Sequence, residues 1–162
     1  KAYCALSPRA DEELFIEFCE DFEYNPILFE AFQTVGTERK LIYHTNVMMS
    51  VGETFAIICA ESIDDKKERK IVLDSLRGDA KEIILITEDQ VNNFAGNMLE
   101  VKGFDDKRYL VMSTSAYNSL TKKQIAQIEE HVTILSSSLD TIEACGGGSA
   151  RCMMAEIFLP KN

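Results

Sequence analysis

The chain has 162 residues, 46% hydrophobic and 27% charged, with a formal net charge of −10. This is the composition of a globular domain with room for one sizeable core, and its acidity argues against nucleic acid, whose phosphates need clustered Lys and Arg. No apolar run approaches the roughly 18 residues needed to span a bilayer, so no membrane partner is expected.

In chain order, the start (Lys1-Ala-Tyr-Cys4) leads into an acidic segment rather than an apolar one, unlike a signal peptide. Residues 11–23 place Leu14, Phe15, Phe18 and Phe22 on one helical stripe, with Asp11, Glu12, Glu13, Glu17, Glu20 and Asp21 as a solvated face. Residues 26–29 read as a short strand. Residues 41–50 and 54–60 are β-rich runs separated by Gly52 and Glu53. Ser62 is then the expected N-cap of a helix carrying Ile71, Val72, Leu73 and Leu76, with Gly78 at its end. Residues 81–86 form the next strand.

The order then recurs. Residues 98–101 and 109–113 flank a Gly-Phe-Asp-Asp turn, and Thr121-Lys-Lys-Gln124 is a capping box with Leu120 and Ile125 as its staple. A helix with Ile125 and Ile128 follows, then a strand over 132–135. Pairing Asn46 with Asn97, Ile57 with Leu110, Ile71 with Ile125 and Ile84 with Ile134 gives offsets of about fifty residues, the mark of a repeated ββαβ unit. The expected organisation is a single domain over 1–162: a partial unit at 1–35, full units at about 36–88 and 89–138, and a nucleophile-bearing stretch at 139–162 whose opening strand runs from Cys152 to Leu159.

The five cysteines (Cys4, Cys19, Cys59, Cys145, Cys152) include no Cys-x-x-Cys pair and are odd in number, which suits a reducing, cytoplasmic compartment better than a disulfide framework. With only His44 and His131 beside them, no metal site is expected. His131 falls near a helix end, where the dipole favours it.

Two segments carry chemistry. On a strand through residues 42–48, His44, Asn46 and Met48 would share one face, presenting a proton-transfer group beside an amide. The run Cys145-Gly-Gly-Gly-Ser-Ala-Arg-Cys152 offers bare backbone amides ending at a cysteine, with Arg151 able to favour a thiolate or anchor a carboxylate. Together they suggest covalent catalysis, with Cys152 as nucleophile and His44 as general acid and base. A structural histidine and a buried free cysteine after a flexible turn remain the plain alternatives for these residues.

Tyr43-His-Thr-Asn-Val-Met-Met49, Phe94-Ala-Gly-Asn-Met-Leu-Glu-Val101 and Leu139-Asp-Thr-Ile-Glu-Ala-Cys-Gly-Gly-Gly-Ser-Ala-Arg-Cys-Met-Met-Ala-Glu-Ile-Phe158 resemble the amidinotransferase and arginine deiminase superfamily. The nearest subgroup by resemblance is the citrulline-utilisation hydrolases, relatives of arginine deiminase and dimethylarginine dimethylaminohydrolase. The resemblance implies an α/β fold, the pentein: a propeller of five ββαβ units, here incomplete and matching the C-terminal part of the family's length. It implies that Cys152 attacks the guanidino or ureido carbon of an arginine-like amino acid, without a cofactor. His44 then protonates the leaving amine and activates water. Asn46, Asn97, Gly148, Ser149 and Arg151 fall where substrate would be bound. Arginine deiminases carry an Asp at the position of Asn46, so a neutral ureido substrate such as citrulline gains weight here. The family's other acidic site residues lie upstream and are absent, so the chain is expected to need an N-terminal half of the same protein. Amidino transfer to an amine, a non-catalytic pentein binding module, and a homo-oligomeric assembly all remain open.

Overall fold

The computed structural model describes residues 1–104 and 106–156. Among these described residues, four small sheets are packed with short helices. The first pairs β1 (Ala2–Leu6) in parallel with β2 (Pro26–Glu30) across helix α1 (Glu12–Asp21). The chain then folds back in a hairpin, β3 (Phe32–Val35) against β4 (Glu38–Leu41), turning at Gly36 with φ of +65°.

The next sheet shows the expected order. β5 (Met49–Val51) runs antiparallel to β6 (Phe55–Ile58), and β6 runs parallel to β7 (Glu82–Leu85) after the crossover helix α2 (Lys66–Gly78). Helix α3 (Glu88–Asn92) leads out of it. β8 (Leu99–Lys102), β9 (Arg108–Ser113) and β10 (Thr133–Ser137) then repeat the antiparallel and parallel pairings, with α4 (Thr114–Ser119) and α5 (Lys122–Glu129) in the crossover. Consecutive units touch through their opening segments: the Ser50 hydroxyl donates to the Met98 carbonyl at 3.0 Å. One apolar core runs through the units, with Phe29, Phe55, Ile58, Leu76, Met98, Leu110 and Met112 fully buried.

Several expectations are corrected. The β-rich run 41–50 is no single strand. It breaks into the end of β4, a 3-10 turn (Thr45–Val47) and β5. Two contacts hold that turn: Thr45 Oγ1 accepts from the Ala5 amide at 2.9 Å, and Gly96 lies so close beneath that a Cβ there would fall 2.2 Å from the Val47 carbonyl oxygen. The cap of α2 is Asp65, whose carboxylate accepts from the amides of Lys67 and Glu68 at 2.7 and 2.9 Å. Ser62 is instead buried in a preceding 3-10 turn. On α1 the inward residue is Cys19, with Phe15 and Ile16 partly covered, while Leu14, Phe18 and Phe22 face solvent. The Thr121 capping box forms as expected.

The stretch before Cys152 is helical. α6 (Asp140–Gly146) ends on Gly147, which at φ of +65° is the left-handed residue that terminates a helix without steric penalty. A 3-10 turn (Arg151–Met153) then carries the cysteine, so the expected strand from Cys152 does not begin there. Residues 157–159 of that expected strand lie outside the described residues.

Candidate active site

Two segments one repeat apart, bearing Asn46 and Asn97, converge on Cys152. Asn97, only 3% exposed, sits just after α3, where its backbone amide donates to the Phe94 carbonyl at 2.9 Å. Its side-chain Nδ2 lies 3.1 Å from the Asn46 carbonyl oxygen and 3.2 Å from Cys152 Sγ. Its Oδ1 accepts from the Arg151 amide at 3.0 Å. A second amide, Asn46 Nδ2, points at the same sulfur from 4.0 Å. Asn46 Oδ1 is buried with no partner among the described residues, a costly state for a polar atom that a ligand N–H would relieve.

The cysteine is solvent-accessible and unpaired, as is Cys145. It opens into a cavity of about 210 Å³ whose walls include Gln33, Tyr43, Val91, Phe94, Asn46 and Asn97, with Gly147 and Gly148 at the cysteine's edge. Gly148 packs closely against the cysteine: a Cβ there would sit 3.0 Å from Cys152 Cβ and 3.1 Å from its sulfur, so the side chain of Cys152 would have to shift. Tyr43 ties the loop down by donating its hydroxyl to the Gly147 carbonyl at 3.2 Å, and the Arg9 guanidinium lies over the tyrosine ring at 5.3 Å.

Ser149 lies beneath this loop rather than in the cavity. It is fully buried and donates to Glu143 at 2.6 Å, and the other Glu143 oxygen accepts from Ser115 at 2.7 Å. Arg151 turns its guanidinium to the Met154 carbonyl at 3.2 Å and lines a separate, more open cavity of about 510 Å³, shared with Asn46 and Glu156.

His44 does not join the group. It is exposed, caps the 3-10 turn from an extended backbone (φ −143°, ψ 140°), and contacts Tyr43 edge-on with ring centroids 5.0 Å apart. It lines neither cavity. The shared strand face expected for His44, Asn46 and Met48 is lost because the 3-10 turn interrupts strand alternation; Met48 is buried in the core. His131 is occupied elsewhere, with Nδ1 2.9 Å from the Thr54 hydroxyl, Nε2 3.2 Å from Glu82 and its ring stacked on Phe55.

Sequence reasoning missed Tyr43, Val91, Phe94 and Glu143. Helix α3 had a legible signal, because Thr87-Glu-Asp-Gln90 is a capping box as complete as the one at Thr121. It directs Val91 and Phe94 to the cavity. Among the described residues no three His, Cys, Asp or Glu side chains group as metal ligands, and no helix is long and apolar enough to cross a membrane.

This geometry coincides with a family likeness over almost the whole chain: residues 1–159 match the family described as N,N dimethylarginine dimethylhydrolase, eukaryotic. The chain belongs to that family. No curated protein matches it. Among solved structures it resembles the apo form of ArgZ, an arginine dihydrolase of the ornithine-ammonia cycle in Cyanobacteria, with a TM-score of 0.67 at 12% identity over 93% of this chain. It likewise resembles the substrate-bound N-terminal domain of a cysteine-to-serine mutant of ArgZ, with a TM-score of 0.64 at 12% identity over 92% of this chain. The chain spans 21% and 48% of those two chains. At this identity the likeness is one of fold: a mixed α/β, pentein-like arrangement of small sheets.

Proposed function

We propose that this chain carries the nucleophile of a cysteine-dependent hydrolase acting on the guanidino or ureido carbon of an arginine-like amino acid. The observation that carries the reading is the convergence of Asn97 and Asn46 on the sulfur of Cys152, at the edge of a small cavity. Two N–H donors aimed at one sulfur orient it, and the same donors can meet charge that develops beside it during attack. Family membership and the arginine dihydrolase fold support the same chemistry.

In this reading the Cys152 thiolate adds to the planar carbon, and a C–S bond forms. The C–N bond to the leaving amine then breaks, and the amine departs with a proton. Water adds to the sulfur-bound carbon, the C–S bond breaks, and the thiolate is regenerated. His44 is proposed to give the proton to the amine and to take one from the water. Its ring lies exposed beside Tyr43 and outside the cavity wall, so this role requires it to turn toward the sulfur.

The cavity wall, among the described residues, has amide, phenol and apolar groups but no carboxylate. A neutral ureido group such as that of citrulline fits it without an uncompensated charge, and the unpartnered Asn46 Oδ1 would accept one of its N–H groups. A cationic guanidinium needs a carboxylate from outside these residues. That supports the need for an N-terminal half completing a propeller of ββαβ units.

Intact-mass measurement after incubation with arginine, N,N-dimethylarginine or citrulline tests the assignment. An adduct on Cys152 that disappears in Cys152→Ala is expected. An adduct that survives Cys152→Ala sinks it. The exposed position of His44 favours one second reading, a binding module without turnover. Saturable substrate binding with no adduct, unaffected by His44→Ala, would select it.

A further inference from the structure

The outer face of α1 has no role in the site. Leu14, Phe18 and Phe22, spaced i, i+4 and i+8, are 66%, 44% and 64% exposed, and Tyr24 extends the row at 47%. The aromatics are ordered against one another. Phe18 and Phe22 have ring centroids 4.8 Å apart, and Phe18 stacks on Tyr24 at 6.0 Å with ring planes 9° apart. Isolated exposed apolar residues are ordinary, whereas a contiguous aromatic row along a helix is the mark of a contact surface.

The row is bordered by acid. Between Arg9 and Arg39 the sequence contains no Lys, Arg or His. Glu13, Glu17, Glu20 and Asp21 are all exposed on α1, and Glu23 continues the border past its end. Among the described residues none of these five pairs with a cation, although the molecule forms ion pairs elsewhere, at Arg39, Lys70 and Arg108. This combination decides between occupants. A second copy of the chain would set one acidic border against another, which is repulsive at contact distance. An anionic membrane surface meets the same repulsion. A cationic, apolar helix satisfies both features at once: its apolar stripe covers the aromatic row, and flanking Lys or Arg neutralise the border.

We propose that the α1 face is a docking site for an amphipathic helix of basic character, presenting apolar side chains at i, i+3 or i+4, and i+7 between Lys or Arg. The surface binds through the aromatic row and selects its partner by charge.

The test uses the full chain and two synthetic helical peptides of identical apolar stripe, one flanked by Lys and one by Glu. Fluorescence anisotropy should show saturable binding of the Lys peptide, weakening as salt is raised, and none of the Glu peptide. Phe18→Ser with Phe22→Ser should weaken the Lys peptide by at least about tenfold, the equivalent of about 1.4 kcal/mol. Because these side chains are exposed, circular dichroism should be unchanged. Glu17→Gln with Asp21→Asn, which leaves the apolar row intact, should weaken binding and flatten its salt dependence. Three results would overturn the proposal: no binding of the Lys peptide, equal binding of the Glu peptide, or binding indifferent to the Phe18 and Phe22 changes. Concentration-dependent dimerisation abolished by Phe22→Ser would also overturn it, in favour of self-association.

Discussion

Asn97 holds Cys152 from two sides: its Nδ2 lies 3.2 Å from the cysteine sulfur, and its Oδ1 accepts from the amide of the preceding residue at 3.0 Å. One buried amide therefore sets both the backbone and the reactive atom. Asn97→Asp keeps the acceptor for the Arg151 amide but replaces the donor with negative charge beside the sulfur. We expect alkylation of Cys152 by iodoacetamide at neutral pH to slow by about tenfold or more, the scale on which small misplacements act at a reacting centre. Asn97→Ala should lose the donor and also lower stability. Alkylation rates within twofold of the parent in both variants would remove Asn97 from any role at the sulfur.

Glu143 is expected to support the glycine loop from below. Its carboxylate accepts from Ser149 and Ser115, and Ser149 is fully buried. Glu143→Ala leaves the Ser149 hydroxyl without this acceptor, at a cost of about 1–3 kcal/mol. The melting temperature should fall by several degrees, and Cys152 alkylation should change as the loop loosens. Calorimetry paired with the alkylation rate checks both. A changed rate without a changed melting temperature would point to a direct role at the sulfur instead.

Gly148→Ala separates reactivity from folding. The added Cβ meets only the side chain of Cys152, at 3.0 and 3.1 Å, while Gly148 itself needs no left-handed backbone. The cysteine must shift, so adduct formation should fall with little change in thermal stability. Gly96→Ala should do the reverse, because its Cβ would collide with the Val47 carbonyl and Met48 Cα at 2.2 and 2.8 Å. Thermal melts of the two variants side by side should show the large loss only for Gly96→Ala.

The hairpin β3–β4 is held to α3 by charge, which gives an acid-dependent stability. Burial opposes ionisation of Glu88, but its bonds to Arg39 and Thr34 outweigh that and hold the carboxyl below its ordinary value of 4.5. A depressed carboxylate contributes stability that is present above the unfolded value and is lost as pH falls through the folded one. Urea midpoints should therefore decline below about pH 4.5 in the parent, in part through Glu88. Glu88→Gln should be less stable at pH 7 and show a shallower decline in acid. An unchanged acid limb in that variant would assign the decline to other groups.

Much of the architecture was legible because its signals are local. The Thr121 capping box, the apolar runs of β6, β7 and β9, and the spacing near fifty residues all reappear in the folded chain. Asn97 could be read from its repeat relation to Asn46, and the two residues are in contact. Where the reading failed, a contact distant in sequence had overridden local preference. The run 41–50 is rich in strand formers, yet Ala5 and Gly96 clamp its centre into a 3-10 turn. On α1, periodicity located the apolar positions, but Leu14, Phe18 and Phe22 lie outside while Cys19 turns to the core.

The sequence by itself determined the chemical inventory: a cysteine shortly after three glycines, two asparagines one repeat apart, and an acidic segment without a single cation between Arg9 and Arg39. Only the tertiary structure decided which of these meet. The bonds that assemble the site join residues 51, 55 and 106 positions apart, so packing of successive units and not local preference brings them together. The same packing left His44 on the surface beside Tyr43 and placed Glu143, unremarkable in the sequence, under the loop that carries Cys152.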